Sequence, residues 1–488
     1  MNFMTNLWNQ FEGICSVPHP SGHLDAMREH IIGVAKENGL TSEVDEAGNV
    51  LVSIPASVGK ENCPVVVLEA HMDMVPQCNS DKQHNFLKDP IKTHIVTKGD
   101  NAEYPDAELL MADGTTLGAD NGIGEAAMLA LISDKTIEHG PLECLFTVDE
   151  ETGMTGVNNL REDWLKGKYL LNLDTETEGE LMIGCAGAVD MEAFFKYKKD
   201  DVIPEGDVAI CLKIGGLQGG HSGMDIHLHR GNAIKLMVRF LKHAIVNFEA
   251  RLASIYGGSL RNAIPRECTA VVTVPSDVAD ELLEEVAYYD ELYRFELRGI
   301  DEGIRFEAEE TGLPEALVPE EIQDDVVNSV EACFDGVFRM SPDIPGVVET
   351  SSNLALVETN AEETRVVFLI RSMNEEMKRY LASSLHSVFV LAGAKVKFNA
   401  AYPGWELSQS SPLLAKAQSV YKETFGTDMK VNSVHCGLEC GIIGAHYPKI
   451  DMISFGPTIH HPHSPQESVE TVSVEKFWTY LKALLKSF

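Results

Sequence analysis

Five segments of the chain each follow an apolar, strand-like run with a side chain that ligates divalent metal. They are His71 in HMDM, Asp120 in GADNG, Glu151 in DEETG, Asp174 in LNLDTE, and a histidine of the tail loop HHPHSP. Spacing does not choose among His460, His461 and His463 in that loop. Two histidines and three carboxylates suffice for a pair of divalent cations if one carboxylate bridges. Such cations bring four positive charges; Asp120, Glu151 and Asp174 offset three of them, and neutral imidazoles offset none. The remaining charge would lower the pKa of a bridging water and stabilise an oxyanion. Glu150, beside the third ligand, is placed to take that water's proton. This is the equipment of metal-assisted hydrolysis. Oxygen and imidazole ligands suit zinc, with manganese or cobalt as substitutes.

The spacing around each ligand sharpens its role. On an extended strand, residues two apart face the same way, so His71 and Asp73 project together. One can ligate metal while the other orients the imidazole. GTTLGADNGIG is glycine-rich and precedes a helical pattern, yet it lacks the Lys and Ser or Thr of a phosphate loop. Asp120 is therefore read as the bridging carboxylate. Glu150 and Glu151 would point oppositely on a strand, so a turn at Thr152-Gly153 is needed to bring both to one site. Asp174 follows YLLNL, at the carboxyl end of a strand, where ligands gather in open α/β sheets.

The elements that must position these residues alternate. LDAMREHIIGVAKENGL reads as a helix ending at Gly39, NVLVSIPA and CPVVVLEAHMDMV contain strands, GIGEAAMLALISDK is helical, and PLECLFTVDEE and KYLLNLDTE are strands. Continuous apolar runs separated by helices predict a parallel sheet covered on both faces. From residue 188 to 398 the strands and helices follow a different αβ pattern, and the tail then returns to helix–strand–helix alternation. Because the tail histidine must join the N-terminal ligands, residues 1–187 and 399–488 are expected to form one domain and 188–398 an insertion.

Composition bounds the rest. At 488 residues the chain exceeds one ordinary core. The formal net charge of −36 disfavours nucleic acid and anionic membrane as partners. No apolar run reaches the roughly 20 residues of a membrane span, and the start shows no secretory pattern. Ten scattered cysteines fit a reducing cytoplasm. Cys436 and Cys440 lack a second pair to complete a zinc site and read as core or loop residues, as do His227 and His229 as a structural HxH.

Taken together, HMDMVP, GTTLGADNGIG, DEETGM, NLDTE, CAGA, GGHSG, RNAIPRE, HCGLECG and GPTIHHPHSP resemble the aminoacyl-histidine dipeptidases of the M20 di-zinc metallopeptidase group. The resemblance runs from Trp8 to the C-terminus. It implies an α/β fold: a di-zinc exopeptidase-like catalytic domain with a central, mostly parallel sheet, plus an inserted α+β lid domain. It implies one metal held by His71, Asp120 and Asp174 and another by Asp120, Glu151 and His463. Glu150 matches the general base and Asp73 the acid orienting His71. His221 in GGHSG matches an oxyanion-stabilising histidine; Asn262, Arg371, Gly437 and Glu439 match substrate-binding positions, Arg371 meeting the substrate carboxylate. The expected enzyme is a cytoplasmic homodimer hydrolysing dipeptides, preferentially Xaa-His such as β-Ala-His, through a hydroxide bridging two metal ions. An N-acyl-amino-acid deacylase, a broad-specificity aminopeptidase and a non-catalytic metal-binding protein are the rivals. The stretch from residue 77 to 113 is longer than the resemblance leads one to expect, and His460 and His461 have no role in it.

Overall fold

A computed structural model describes residues 6–199, 201–406 and 410–488. The chain divides into two compact units. One runs to Gly184 and resumes over Trp405–Ser433 and Leu438–Phe488; the other comprises Cys185–Gly404 and Val434–Gly437.

The first unit is built on an eight-stranded sheet. Its centre is Leu142–Thr147, Val66–His71, Tyr169–Asn172 and Asp451–Ser454, each parallel to its neighbour. All six residues of Val66–His71 are buried, as are all six of Leu142–Thr147, which is why these segments read as apolar runs despite Glu69 and Glu143. Antiparallel pairs flank these four. Val50–Ile54 pairs antiparallel with Leu142–Thr147, and Glu180–Cys185 pairs antiparallel with Asp451–Ser454. The helix Ala119–Ser133 is buried from Ala119 through Ile132, so it lies inside the unit without a polar face. Thr471–Ser487 is amphipathic, burying Phe477, Trp478, Tyr480 and Leu481 in the same core. The helix read as ending at Gly39 spans Asp25–Glu37, with Gly39 at φ 77°.

A separate four-stranded sheet joins two hairpins. The long excursion after His71 supplies Thr93–Val96 and Leu109–Ala112; the tail supplies Ile459–His460 and Ser468–Glu470. Ser468–Glu470 pairs with Met111–Leu109, so the excursion forms the support of the tail loop.

The second unit is a nine-stranded sheet whose pairings are antiparallel, including Val348–Thr359 with Glu363–Ser372 and Glu363–Ser372 with Gly187–Lys196. The helices Ala233–Phe248, Ala279–Glu296, Glu320–Ala332 and Glu375–Leu391 share a core with it. An antiparallel sheet with helices packed on it is the α+β arrangement expected of the middle stretch.

Candidate active site

In the first unit the parallel strands deliver their following residues to one place. His71 is the last residue of its strand, and Asp174 stands two residues beyond Asn172. After Thr147 the chain turns, with the amides of Gly153 and Met154 bonding the Glu150 carbonyl at 3.2 and 3.1 Å. That turn is the one adjacent acids require. Asp73 fixes it: the Glu150 amide donates to Oδ1 at 3.0 Å, and the Ser21 hydroxyl donates to Oδ2 at 2.7 Å. The His71 Nδ1 lies 3.0 Å from the Asp73 main-chain carbonyl and 3.5 Å from its carboxylate. Nδ1 thus carries a proton, and Nε2 is the ring atom left to face the site.

Asp120 divides the site. Its Oδ1 is 3.0 Å from His71 Nε2, which also lies 3.4 Å from Asp174 Oδ1. Its Oδ2 is 3.1 Å from His463 Nε2, which lies 2.9 Å from Glu151 Oε1. One carboxylate therefore shows an oxygen to each of two imidazole–carboxylate pairs. Donor atoms of His71, Asp120 and Glu151 lie within 4.8 Å of one another.

The charges of the site conflict unless cations join it. Burial raises the pKa of Glu150 well above its ordinary value, and the neighbouring Asp174, Glu151 and Asp120 add to that. Burial raises Asp174 to about 7 and also raises Glu151. Hydrogen bonds to Asp120 and Glu151 push His463 up to about 11. Burial opposes a charge on His71, but Asp174, Asp120 and Asp73 overcome it and raise its pKa. Asp174 Oδ1 is buried without a hydrogen-bond donor. Crowded carboxylates, an oxygen lacking a donor and two imidazoles fit divalent cations, whose charge removes the repulsion.

The three tail histidines part company here. His460 stacks on Tyr104, with ring centroids 3.8 Å apart, and bonds Glu470 at 3.0 Å. His461 lies 3.1 Å from Glu103 and from the Tyr104 hydroxyl. Only His463 reaches Asp120 and Glu151. The other two hold the loop to the tip of the long excursion.

Glu439, expected at the substrate, is enclosed beside the site, near enough to Glu150 and His71 for their charges to act on it. It is 1% exposed, accepts from the Thr147 hydroxyl at 2.6 Å, and adjoins Glu69. Glu69 accepts from Asn172 at 2.5 Å. Asn172 in turn accepts from Ser454, and Ser454 meets Thr175 at 2.7 Å. These groups form a buried polar brace at the strand ends.

In the second unit, Ser222 links three expected residues. It follows His221, its amide donates to the Asn262 carbonyl at 2.8 Å, and its hydroxyl accepts from Arg371 Nε at 3.3 Å. Arg371 is 4% exposed and also donates to the Tyr402 hydroxyl at 3.2 Å, so its partners are neutral. His221 Nδ1 accepts from the amides of Gly223 and Met224 at 3.2 and 3.1 Å. Burial, then Arg371, lowers its pKa to about 4. A neutral ring whose Nδ1 is an acceptor must carry its proton on Nε2. Asn262 is exposed and Gly437 half-buried. His435 went unremarked in the sequence. It is buried, meets Ser351 Oγ at 2.7 Å, and is lowered to about 3 by burial and by Arg371. A cleft of about 670 Å³ in this unit is lined by His221, Asn262, Tyr256 and Arg266, among others.

Residues 67–487 match Peptidase family M20/M25/M40. The chain is 42% identical over 480 residues to the cytosol non-specific dipeptidase of Escherichia coli K12, covering 98% of this chain and 97% of that one. It is similar to the crystal structure of aminoacylhistidine dipeptidase from Vibrio alginolyticus, with TM-score 0.88, 44% identity, and 99% and 96% of the two chains covered. The aminopeptidase PepT of Bacillus cereus shares the fold at TM-score 0.56 and 15% identity, over 99% and 97% of the chains. With a fold, a donor set and a full-length relative in agreement, the chain belongs to peptidase family M20/M25/M40.

Proposed function

We propose that this protein is a metal-dependent dipeptidase acting on short dipeptides, with Xaa-His preferred. The observation that carries the reading is Asp120, whose oxygens face His71 and Asp174 on one side and His463 and Glu151 on the other. Those five residues would hold two divalent cations, zinc first and manganese or cobalt as substitutes. When bound, the cations would supply a Lewis acid and a lowered pKa for a water between them.

The chain's own groups do the rest. Glu150 accepts the attacking water's proton and passes it to the departing amine, a role supported by its place beside Glu151 in the turn that Asp73 holds. Asp73 acts through others, holding the Glu150 turn and the His71 ring. His221, neutral with its proton on Nε2, is the donor assigned to the carbonyl oxygen as charge builds there. Arg371 and Asn262 are assigned to the substrate, the guanidinium to its carboxylate, because among the described residues Arg371's side-chain hydrogen-bond partners are the hydroxyls of Ser222 and Tyr402 and not a carboxylate. Gly437 and Glu439 are assigned to substrate binding with them.

Residues 1–187 and 399–488 are read as the catalytic domain and 188–398 as a lid. A cytoplasmic homodimer is proposed with them. The names of the E. coli and V. alginolyticus relatives support dipeptides as substrates, and the latter supports the Xaa-His preference. Glu150→Ala tests the proton path: folding and metal content should persist while turnover falls about 10²- to 10⁴-fold. Near wild-type turnover would remove Glu150 from its role.

A further inference from the structure

Four residues after His463, Glu467 lies 2% exposed with its carboxylate pointing into the loop that carries Asp120. Its Oε2 accepts from the amides of Leu117 and Gly118 at 2.8 and 3.0 Å. Its Oε1 accepts from Ala119 at 2.8 Å and from Asp120 itself at 3.4 Å. Four consecutive amides converging on one carboxylate form an anion cradle, filled here by the protein's own side chain. The cradle needs a left-handed residue, and Gly118 supplies it at φ 71°. A Cβ there would stand 3.1 Å from Met74 Sδ.

The other end of Glu467 is equally fixed. Its amide bonds the Ser464 carbonyl at 3.0 Å, and Ser468 follows directly as the strand paired to Met111. Glu467 thus ties the His463 loop to the main chain of Asp120, two segments 343 residues apart. The two ligands it ties are neighbours on the same side of the site, where His463 Nε2 meets Asp120 Oδ2.

We infer that Glu467 is a positioning residue that sets the spacing between Asp120 and His463, so that the cation on the His463 side depends on it more than the cation on the His71 side. The asymmetry follows from connectivity. On the His463 side, two of the three ligands hang from the Glu467 link. On the His71 side only Asp120 does, since His71 and Asp174 are held by the central strands. The inference rests on the reading of these residues as ligands.

The test is a Co²⁺ titration of metal-free wild type, Glu467→Gln and His463→Ala, followed by visible absorption and by equilibrium dialysis with metal analysis. Wild type should bind two equivalents. Gln keeps the size but turns one acceptor oxygen into a donor facing donors, so one equivalent should weaken about 10- to 100-fold. It should be the equivalent, with the same absorption band, that His463→Ala loses; the other should change less. Equal weakening of both equivalents, or wild-type binding by Glu467→Gln, overturns the inference. Fewer than two equivalents in wild type overturns the ligand reading and this inference with it. Should Glu467→Gln fail to fold, amide exchange in metal-free wild type decides: the amides of residues 117–120 should exchange slowly, and exchange at exposed-loop rates overturns the link.

Discussion

At the scale of single residues, the proton positions are the informative feature. His71 directs Nδ1 at the Asp73 carbonyl, leaving Nε2 to face Asp120 and Asp174, whereas His221 uses Nδ1 as an acceptor and keeps Nε2–H as a donor. The same side chain is prepared for opposite tasks by the main chain around it. His221→Ala should therefore lower kcat about 10²- to 10³-fold and leave metal content unchanged, as measured by steady-state kinetics beside metal analysis. A matching loss of metal would place His221 among the ligands. His71, Asp174 and the Glu150–Glu151 turn were legible in the sequence because each lies at or just past the end of a central strand, and Asp120 because a glycine-rich run leads into its helix. The choice of His463 over His460 and His461 was not legible from spacing, since it depends on Glu103 and Tyr104, far away in the chain. Glu467 was invisible for a related reason: its partners are main-chain amides, which no motif records.

At the scale of elements, the four central parallel strands do the gathering, and the turns that follow do the aiming. Continuous apolar runs announced those strands. The antiparallel edges were not announced, because a buried strand reads alike in either direction. The excursion 77–113, conspicuous only for its length, proves to be half of the small sheet bearing the tail loop. Close approach of turns is part of the same construction. A Cβ on Gly456 would stand 1.9 Å from the Thr175 carbonyl oxygen, next to Asp174. Gly456→Ala should cost about 1–3 kcal/mol, the usual cost of overpacking, measured by denaturant titration of the metal-free protein. An unchanged midpoint would mean the turns are free to separate.

At the scale of the whole molecule, charge and protonation set the working conditions. His221 and His435 are both held below the ordinary histidine value, mainly by burial. Between those depressed values and 6.5 the unfolded rings bind more protons than the folded ones, so stability rises with pH across that window and levels off above it. Carboxyls with raised values, Asp174 and Glu467 among them, slope the other way, so the test is a difference: in thermal melts from pH 4 to 8, His435→Gln should lose part of the rise relative to wild type, and an identical slope in the two would mean His435 is not held neutral. A net charge of −36 carries no information about the substrate, and neither do the metal ligands. The most direct measurement is hydrolysis by the zinc-, manganese- or cobalt-loaded protein of β-Ala-His, Gly-His, a tripeptide and an N-acetyl amino acid side by side. Cleavage of the two dipeptides alone, lost on chelation and restored by metal, is the predicted result. Cleavage of the N-acetyl amino acid or the tripeptide in preference, or no cleavage with any of the three metals, would contradict it.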